Sequence, residues 1–357
     1  MFIPTEEKTR LRATPVEPQP LGKTGVLIDN LGTPDSPSVP DVRKYLREFL
    51  MDGRVLDVPF LSRFLLVNLV IAPFRAPKSA KTYRELWTEN GSPLKFYGHR
   101  VEKLLQEALG GAYAVKLAMR YQNPSIPDAL AGFRTQGFSR IVVIPFFPQY
   151  ASASSGSVYE KVMEIIKEWP IVPEIRFVNR FLDHPKFLAG FVEAGRKHLA
   201  AAPYDHFLFT YHGLPERQIR RGDPTNTCLQ GNCCATRHAQ NQHCYRAQCF
   251  ETTRLLAKEL GLREEDYTVS FQSRLGRTPW IKPYTDAVIR ELVAKGKKRV
   301  LAFSPSFVSD CLATTIEIGS EYKELFESIG GEHWQLVESL NDNPVWVETL
   351  VDLVKNG

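Results

Sequence analysis

An apolar run that ends in a polar turn occurs at Phe207-Leu208-Phe209-Thr210-Tyr211-His212-Gly213-Leu214-Pro215. Its first four residues predict a buried strand, and the glycine and proline predict that the strand stops at a turn. The same order of residue types recurs at Leu27-Ile28-Asp29-Asn30-Leu31-Gly32-Thr33-Pro34. A second pair of similar apolar runs follows Arg140 and Arg299. This repetition predicts two similar halves.

Strand-like and helical segments alternate through both halves. Further strands are predicted at 114–119 and 141–144, and helices at 41–51, 101–109, 158–168 and 345–354. This alternation favours an α/β protein with two Rossmann-like, doubly wound parallel sheets. Ligands of such folds bind beyond the carboxyl ends of the strands. We therefore expect a cleft surrounded by four residues, Asn30, Tyr150, His212 and Ser309.

The domain organisation follows from the proline-rich break near residues 170–173. We expect an N-terminal arm at 1–20, a first domain at 21–170 with an apolar lip at 60–74, a second domain at 171–338 and a C-terminal helix at 339–357 that packs back on the first domain. The lip is shorter than the roughly 20 apolar residues that a spanning helix needs.

Composition and missing motifs exclude several function classes. The chain is 43% hydrophobic and 24% charged, which is typical of a globular protein, and its formal net charge of +5 is too small to indicate a nucleic-acid partner. The first twenty residues carry no apolar signal-peptide core, so we expect a cytoplasmic protein. The glycine-rich nucleotide motifs and the Gly-x-Ser-x-Gly motif of serine hydrolases are missing from the sequence.

A few polar residues are candidates for chemistry. His212 stands at a strand end, where functional side chains gather, although turn hydrogen bonds explain it equally well. The serine run at 152–157 is better explained as a helix start. Glu317 and Glu321 share one helix face with Ala313, and exposed glutamates are the ordinary interpretation. Three basic residues gain meaning if the ligand carries carboxylates: Arg75, Lys78 and Arg120.

Cysteine usage is unusual, because five of the six cysteines lie between Cys228 and Cys249. Their pattern is Cys-x4-Cys-Cys-x9-Cys-x4-Cys. In a cytosolic chain such clustering indicates a metal site rather than disulfides. The spacing allows zinc without selecting it, and iron–sulfur clusters accept looser spacing.

Several short motifs occur in the order found in one enzyme family. They lie at residues 30–34, 90–94, 119–121, 148–150, 211–215, 222–224, 271–274, 278–280 and 339–341. With them the chain resembles the ferrochelatases, which insert ferrous iron into a porphyrin. The resemblance implies two Rossmann-like domains around a porphyrin cleft, protoporphyrin IX as the expected porphyrin, release of two protons and no nucleotide. The sequence does not distinguish protoporphyrin from coproporphyrin.

The resemblance also implies roles for individual residues. His212 matches the active-site histidine of the family, and Glu317 matches an acidic position. The macrocycle would be lined by Leu31, Tyr121, Trp280 and Phe307, with Arg75, Ser92 and Arg120 near the propionates or in the cleft wall. The lip at 60–74 would rest on a membrane surface, placing the protein peripherally at its inner face.

One position departs from the family pattern, since Ala313 stands where the family has a glutamate opposite the histidine. Alanine neither binds metal nor moves protons. Three hypotheses therefore stay open: an active ferrochelatase in which Glu317 takes a shifted role, a chelatase-like protein that binds porphyrin or haem without inserting metal, and a cobalt chelatase.

The cysteines lie in an insert at 226–249 that resembles the insert of some bacterial ferrochelatases, which binds a [2Fe–2S] cluster. The resemblance implies that four of the five cysteines bind the cluster, namely four of Cys228, Cys233, Cys234, Cys244 and Cys249. Of these we expect Cys228, Cys244 and Cys249 to be required. Zinc is the alternative metal.

Overall fold

Two parallel sheets form the frame of the protein, whose computed structural model describes residues 22–276 and 278–356. The strands are β1 (Thr24–Gly32), β2 (Tyr113–Tyr121), β3 (Arg140–Pro145), β4 (Glu174–Phe177), β5 (His206–His212), β6 (Tyr267–Gln272), β7 (Arg299–Phe303) and β8 (His333–Leu336). The sheets have the orders β2-β1-β3-β4 and β6-β5-β7-β8, with all neighbours parallel. The predicted fold class is confirmed. The predicted arm at 1–20 lies outside the described residues.

Helices cover both faces of each sheet. They are α1 (Val39–Met51), α2 (Phe60–Leu65), α3 (Ala72–Leu86), α4 (Pro93–Leu109), α5 (Ile126–Thr135), α6 (Ser157–Ile166), α7 (Pro185–Ala201), α8 (Glu216–Arg221), α9 (Tyr245–Leu260), α10 (Thr285–Ala294), α11 (Tyr322–Ser328) and α12 (Pro344–Lys355). Three π-helices occupy Leu66–Ile71, Ser152–Gly156 and Leu312–Glu321, and a short 3₁₀ helix occupies Glu264–Asp266. The serine run thus begins a helix, as predicted.

The central strands are apolar on both faces because helices cover both sides of the sheet. Val26, Leu27 and Ile28 of β1 are completely buried, and so are Leu208 and Phe209 of β5. Each of these strands lies between two others in its sheet. The carboxyl ends of β1 and β5 therefore lie in the middle of their sheets rather than at an edge.

The domain boundary predicted between residues 170 and 171 is too early. Strand β4 pairs with β3 from Arg140↔Glu174 to Val143↔Phe177, so residues 174–177 belong to the first sheet. Pro170 and Pro173 lie in the loop that leads into this edge strand. Proline stops helices and shapes loops wherever they occur, and so it does not by itself mark a domain linker.

One apolar core extends beneath both sheets. Trp346 of α12 is fully buried, and its ring lies 5.2 Å from that of Phe146 and 5.5 Å from that of Phe181. The C-terminal helix contacts α4 and α7. It is tied to β4 as well, since Arg176 donates to the carbonyl oxygens of Leu353 and Val354. The C-terminal segment therefore joins the first sheet to the interior of the molecule.

Gly32 ends β1 at a place where only glycine fits. Its φ is +113°, and an added Cβ would overlap with the carbonyl oxygen of Tyr121, its partner on β2. The positive φ is itself strained for any residue with a Cβ. The turn that follows β1 therefore requires this glycine.

Replacing Gly32 with alanine is expected to lower the free energy of unfolding by about 2 kcal/mol or more, because backbone strain alone costs about 1–3 kcal/mol. Urea denaturation followed by circular dichroism measures the change. Gly111→Ala is the matched control, since no atom lies within 4 Å of a Cβ added at that glycine. Equal midpoints for the two variants would contradict this role of Gly32.

Candidate active site

The four residues predicted around one cleft all lie at the carboxyl ends of strands. Asn30 is near the end of β1 and His212 is the last residue of β5, while Tyr150 and Ser309 follow β3 and β7 by a few residues. In parallel sheets these ends share one edge, where ligands bind. The structure therefore places the predicted polar groups at or just beyond the carboxyl ends of strands, two in each sheet.

His212 is held in one tautomer by the backbone beside it. Its Nδ1 lies 2.6 Å from the carbonyl oxygen of Gly213, which can only accept a hydrogen bond. The proton of the neutral ring therefore sits on Nδ1, and Nε2 keeps its lone pair. The side chain is half-buried. His212 is thus prepared to accept a proton or to bind a metal through Nε2.

Trp280 stands beside this histidine, with ring centroids 6.5 Å apart. Backbone hydrogen bonds fix its position, because Ile281 N donates to Leu214 O at 2.9 Å and Glu216 N donates to Pro279 O at 3.0 Å. These bonds pin the segment around Trp280 to the turn that follows His212. The pair offers a flat apolar surface next to a basic nitrogen.

Glu317 lies on the π-helix Leu312–Glu321, opposite the end of β6. Its Oε2 accepts hydrogen bonds from Gln272 Nε2 at 3.1 Å and from Ser273 Oγ at 2.5 Å, and its Oε1 accepts from Tyr322 at 3.1 Å. Gln272 pairs with His212 across β5 and β6. The side chain of Gln272 therefore links the carboxylate of Glu317 to the strand position beside His212. Long π-helices are rare and occur frequently at functional sites.

Glu321, one turn further, points outward and is exposed. Burial raises its pKa first, and the negative charge of Glu317 raises it further, while Lys78 acts in the opposite direction. The predicted face that carries Ala313, Glu317 and Glu321 therefore runs from the cleft to the surface. It does so on a π-helix rather than on the expected α-helix.

Arg120, which the sequence predicted near the propionates or in the cleft wall, binds an acidic side chain of the protein itself. Its guanidinium pairs with Asp52 at 2.7 Å and donates to Ser157 Oγ at 2.6 Å. The two charged side chains are only 11% and 4% exposed. Burial would raise the pKa of Asp52, but the hydrogen bonds from Ser157 and Arg54 N and the charge of Arg120 together lower it. Arg120 therefore neutralises a buried carboxylate.

Tyr121 is also turned inward, whereas the sequence placed it on the surface of the macrocycle. It is fully buried and donates to Asp52 at 2.9 Å. Leu31 packs against the same apolar cluster and is partly exposed. Tyr121 thus supports the cleft wall from behind, and Leu31 is the member of this pair that can touch a ligand.

Two further predicted residues keep free polar groups. Arg75 is exposed, and its charge acts on the phenols of Tyr45 and Tyr83, whose pKa values are raised chiefly by burial. Ser92 is buried, and no hydrogen-bond partner for its Oγ is found among the described residues. A cation and a hydroxyl are therefore available on the first half of the protein. Phe307 is half-buried in the loop after β7.

The lip at 60–74 belongs to a continuous helical segment, Phe60–Leu86. Its outer face is apolar and open to solvent, with Phe60 64% and Phe74 79% exposed. By length and composition alone this segment could cross a membrane, which the sequence pattern did not predict. Its second half, α3, packs on α1 through small buried residues such as Ala76 and Ala80. The exposed apolar surface therefore lies within residues 60–74, including Phe74 at the start of α3.

The insert cysteines lie together beneath the cleft, and all except the half-buried Cys233 are buried. Cys228 and Cys234 both interact with Cys244, and the sulfur atoms of Cys233 and Cys234 are 3.7 Å apart. Burial raises the pKa of the Cys228 thiol to about 11. Within residues 22–276 and 278–356, no group of three or more His, Cys, Asp or Glu side chains is arranged to hold a metal ion. The donor chemistry suits a thiolate-bound metal, while the thiols do not adopt a ligand geometry.

Polar side chains also fold the insert. Asp223 accepts from Cys228 N at 2.6 Å, and Asn241, which is buried, donates to the carbonyl oxygens of Cys233 and Thr236. Arg254 donates to Cys234 O at 2.9 Å. The insert is therefore bound to α9 and to the preceding turn along its length.

Helix α9 links this insert to both halves of the cleft. Tyr245, which follows Cys244, lies 3.4 Å from Ser306, and Ser306 donates to Gln149 at 2.9 Å. Gln248 accepts from Tyr150 N at 2.9 Å. The loop before Phe307 and the loop after β3 are thus attached to the helix on which the cysteine cluster ends.

Sequence reasoning missed the partners of the two predicted charged groups. Gln272 and Tyr322, which bind Glu317, were not recognised, and neither was Asp52, which binds Arg120. Gln272 could have been found by the argument that selected His212, because it also ends a strand of the second sheet. No local pattern in the sequence indicated the other two.

Comparisons with known proteins identify relatives over almost the whole chain. The ferrochelatase family model matches residues 23–357. A ferrochelatase of Legionella pneumophila (strain Lens) is 44% identical over 334 residues, covering 93% of this chain and 98% of the relative. A ferrochelatase of Coxiella burnetii (strain Dugway 5J108-111) is 43% identical over 336 residues, covering 94% of each.

Among solved structures, SirB from Bacillus subtilis with Fe³⁺ has the same fold, with a TM-score of 0.52 and 11% sequence identity over 93% of this chain and 94% of that one. That likeness concerns the fold alone. The family match and the relatives, in contrast, extend over almost the whole sequence. The chain therefore belongs to the ferrochelatase family.

Proposed function

We propose that the protein inserts ferrous iron into a porphyrin, protoporphyrin IX, and releases two protons. The observation that supports this proposal is the orientation of His212, whose Nδ1 is bonded to Gly213 O and whose ring lies beside that of Trp280, while its strand partner Gln272 donates to Glu317. A porphyrin needs an apolar surface for its plane and a base for its pyrrole protons. Both lie on the cleft side of the second sheet.

The reaction exchanges two N–H bonds of the porphyrin for bonds to iron. In the proposed mechanism, Nε2 of His212 accepts one pyrrole proton, and the negative charge of Glu317 stabilises the imidazolium that forms. Glu317 is also the acceptor for the second proton before it reaches solvent. The apolar plane is expected to rest on Trp280, Phe307 and Leu31.

The propionates are proposed to bind to the first half of the protein. Arg75 supplies an exposed cation and Ser92 a buried hydroxyl with no partner among the described residues. Arg120 is left out of this role because it pairs with Asp52. A porphyrin in this orientation would span from the lip to the catalytic histidine.

A second candidate function is a porphyrin-binding or haem-binding protein that inserts no metal. Ala313 favours it, since the position has no group that binds metal or moves protons. An anaerobic turnover assay with ferrous iron decides between the two functions. Parallel assays with coproporphyrin and with cobalt test the alternative porphyrin and the alternative metal. Porphyrin binding without any turnover would support the second candidate.

His212→Ala is expected to lower kcat by about 10²–10⁴, the usual contribution of a general base, with porphyrin binding retained. Fluorescence quenching of the porphyrin measures binding and absorbance measures haem formation. His99→Ala is the control, because this exposed histidine on α4 only pairs with Glu102. Near-normal turnover of His212→Ala would refute the assignment.

The cysteine insert is proposed to hold a [2Fe–2S] cluster on four of its five thiols. The group would supply thiolate–iron cross-links within the loop. Support comes from the donor set and from Arg246, whose charge acts on Cys234 and Cys249 and would partly offset the negative charge of four thiolates. Cross-links are useful here because ordering a loop costs about 1–2 kcal/mol per residue.

Protein purified without oxygen is expected to contain iron and acid-labile sulfide, and to lose both in Cys228→Ser, Cys244→Ser and Cys249→Ser. These variants should also unfold at lower temperature, since the loop loses its cross-link. Cys311→Ser is the control, because Cys311 lies outside the insert, at the start of the π-helix. One zinc per chain, with neither iron nor sulfide, would contradict the cluster and favour a zinc site.

The lip is proposed to contact a membrane surface, which would place a cytoplasmic protein peripherally at the inner face. Its support is the exposed apolar surface of α2 and the following π-helix. An amphipathic helix of this kind inserts its apolar face into the headgroup region.

The protein is expected to float with lipid vesicles, and Phe60→Gln combined with Phe74→Gln should weaken binding at least about tenfold, because a buried phenylalanine contributes roughly 1.5–3 kcal/mol. Ile171→Gln is the matched control, since Ile171 is 84% exposed but lies outside the lip. Equal flotation of the double variant and the control would contradict membrane contact by the lip, and the lip would then act only as a gate for the substrate.

A further inference from the structure

The carboxylate of Glu317 is held by side chains from two other elements. Gln272 is the last residue of β6 and Ser273 follows it, while Tyr322 is the first residue of α11. Gln272 and Ser273 both donate to Oε2, and Tyr322 donates to Oε1. Both oxygens therefore have fixed directions.

The amide of Gln272 has one orientation in this environment. Its Nε2 lies 3.2 Å from the carbonyl oxygen of Ala313 as well as 3.1 Å from Glu317. Its Oε1 accepts from Thr210 at 2.9 Å. The reverse orientation would place the amide oxygen against two acceptors, and the residue is only 1% exposed, so no water can separate them.

The amide nitrogen of Gln272 bonds to residue 313 as well as to Glu317. Because the NH2 group of Gln272 donates both to the backbone carbonyl of Ala313 and to the carboxylate of Glu317, that carboxylate lies near the backbone of residue 313. The methyl side chain of Ala313 supplies no carboxylate of its own. Glu317 is therefore the acidic side chain that Gln272 holds next to this position.

Gln272 also connects this carboxylate to the histidine. It pairs with His212 across the two strands, and its carbonyl oxygen accepts from Gly213 N at 2.8 Å. The carbonyl of Gly213 in turn fixes the tautomer of His212. The side chain of Gln272 thus positions the carboxylate of Glu317, and the backbone of Gln272 positions the turn that follows His212.

We propose that Gln272, assisted by Ser273 and Tyr322, is a positioning residue that holds Glu317 as the carboxylate partner of His212 in place of an acidic side chain at position 313. This inference rests on the proposed metal insertion. It implies that Ala313 is compensated within this chain. It also implies that the three partners of Glu317 matter only while position 313 carries no carboxylate.

The test measures kcat, the KM for protoporphyrin and porphyrin binding for Gln272→Met and Tyr322→Phe, each made with Ala313 and with Ala313→Glu. With Ala313 present, Gln272→Met should lower kcat about tenfold to a hundredfold, and Tyr322→Phe should lower it about threefold to tenfold. KM should not change in either variant. A tenfold loss of kcat corresponds to about 1.4 kcal/mol. In the Ala313→Glu background both losses should shrink to less than about threefold.

A matched control is Gln335→Met, because Gln335 is a partly buried glutamine on β8 that donates only to a backbone carbonyl. It should change kcat equally little in both backgrounds. Tyr322→Phe removes a single hydroxyl, so it reports on positioning even if Gln272→Met folds poorly.

Equal losses of kcat in the two backgrounds would overturn the inference, because they would show that Gln272 only supports the π-helix. Turnover by Ala313→Glu but not by the unsubstituted chain would overturn it too, while leaving the family's reaction intact. Turnover by neither would instead reject the proposed function, and the inference with it.

Discussion

A single apolar core ties the two sheets together, and the geometry of the cleft depends on it. Phe146 of the first half, Phe209 and Phe303 of the second half and Trp346 of the last helix belong to one continuous cluster of buried residues. Interiors packed at this density resist small displacements. The two sheets are therefore packed on one shared interior, although each sheet is built from its own segment of the chain.

Backbone hydrogen bonds carry this rigidity to the groups that would do chemistry. Gly213 N bonds to Gln272 O and Ile281 N bonds to Leu214 O, so the turns around His212 and Trp280 are fixed to neighbouring strands and loops. The lip is different, because α2 has no buried residue. Metal insertion would thus occur in a rigid part of the cleft, while a large planar substrate enters past an adaptable one.

How much of this could be predicted from the sequence depended on whether a signal was local. The central strands were predictable because Val26, Leu27 and Ile28 form an apolar run, and His212 was predictable because it ends such a run. The role of Arg120 was not, since its partner Asp52 is 68 residues away and no local pattern links them. The assignment of β4 to the first sheet failed for the same reason, because strand pairing is a long-range property.

The insert shows the opposite case, in which the residue types were clear and their arrangement was not. Five cysteines in a short stretch led to the prediction of a metal site, which stays a prediction, and the partners that order the loop, such as Asp223 and Asn241, are polar residues without a distinctive spacing. The π-helix was also beyond prediction, since its wider turn is decided by contacts such as that between Gln272 and Ala313 O. The chemistry of these residues could be inferred from the sequence, but their spatial arrangement could not.

Charge balance explains why Glu317, and not Asp52, is the carboxylate that can act. Asp52 is paired with a buried guanidinium that balances its charge, and hydrogen bonds from Ser157 and Arg54 N, together with that charge, lower its pKa against the effect of burial. All three hydrogen-bond partners of Glu317 found in the described part of the chain are neutral: an amide, a hydroxyl and a phenol. Burial and the charge of Glu317 both raise the pKa of Tyr322, so this phenol remains a donor. The carboxylate of Glu317 is therefore oriented without being paired to a cation among the described residues, which is what the proposed mechanism requires of a group that stabilises the imidazolium of His212.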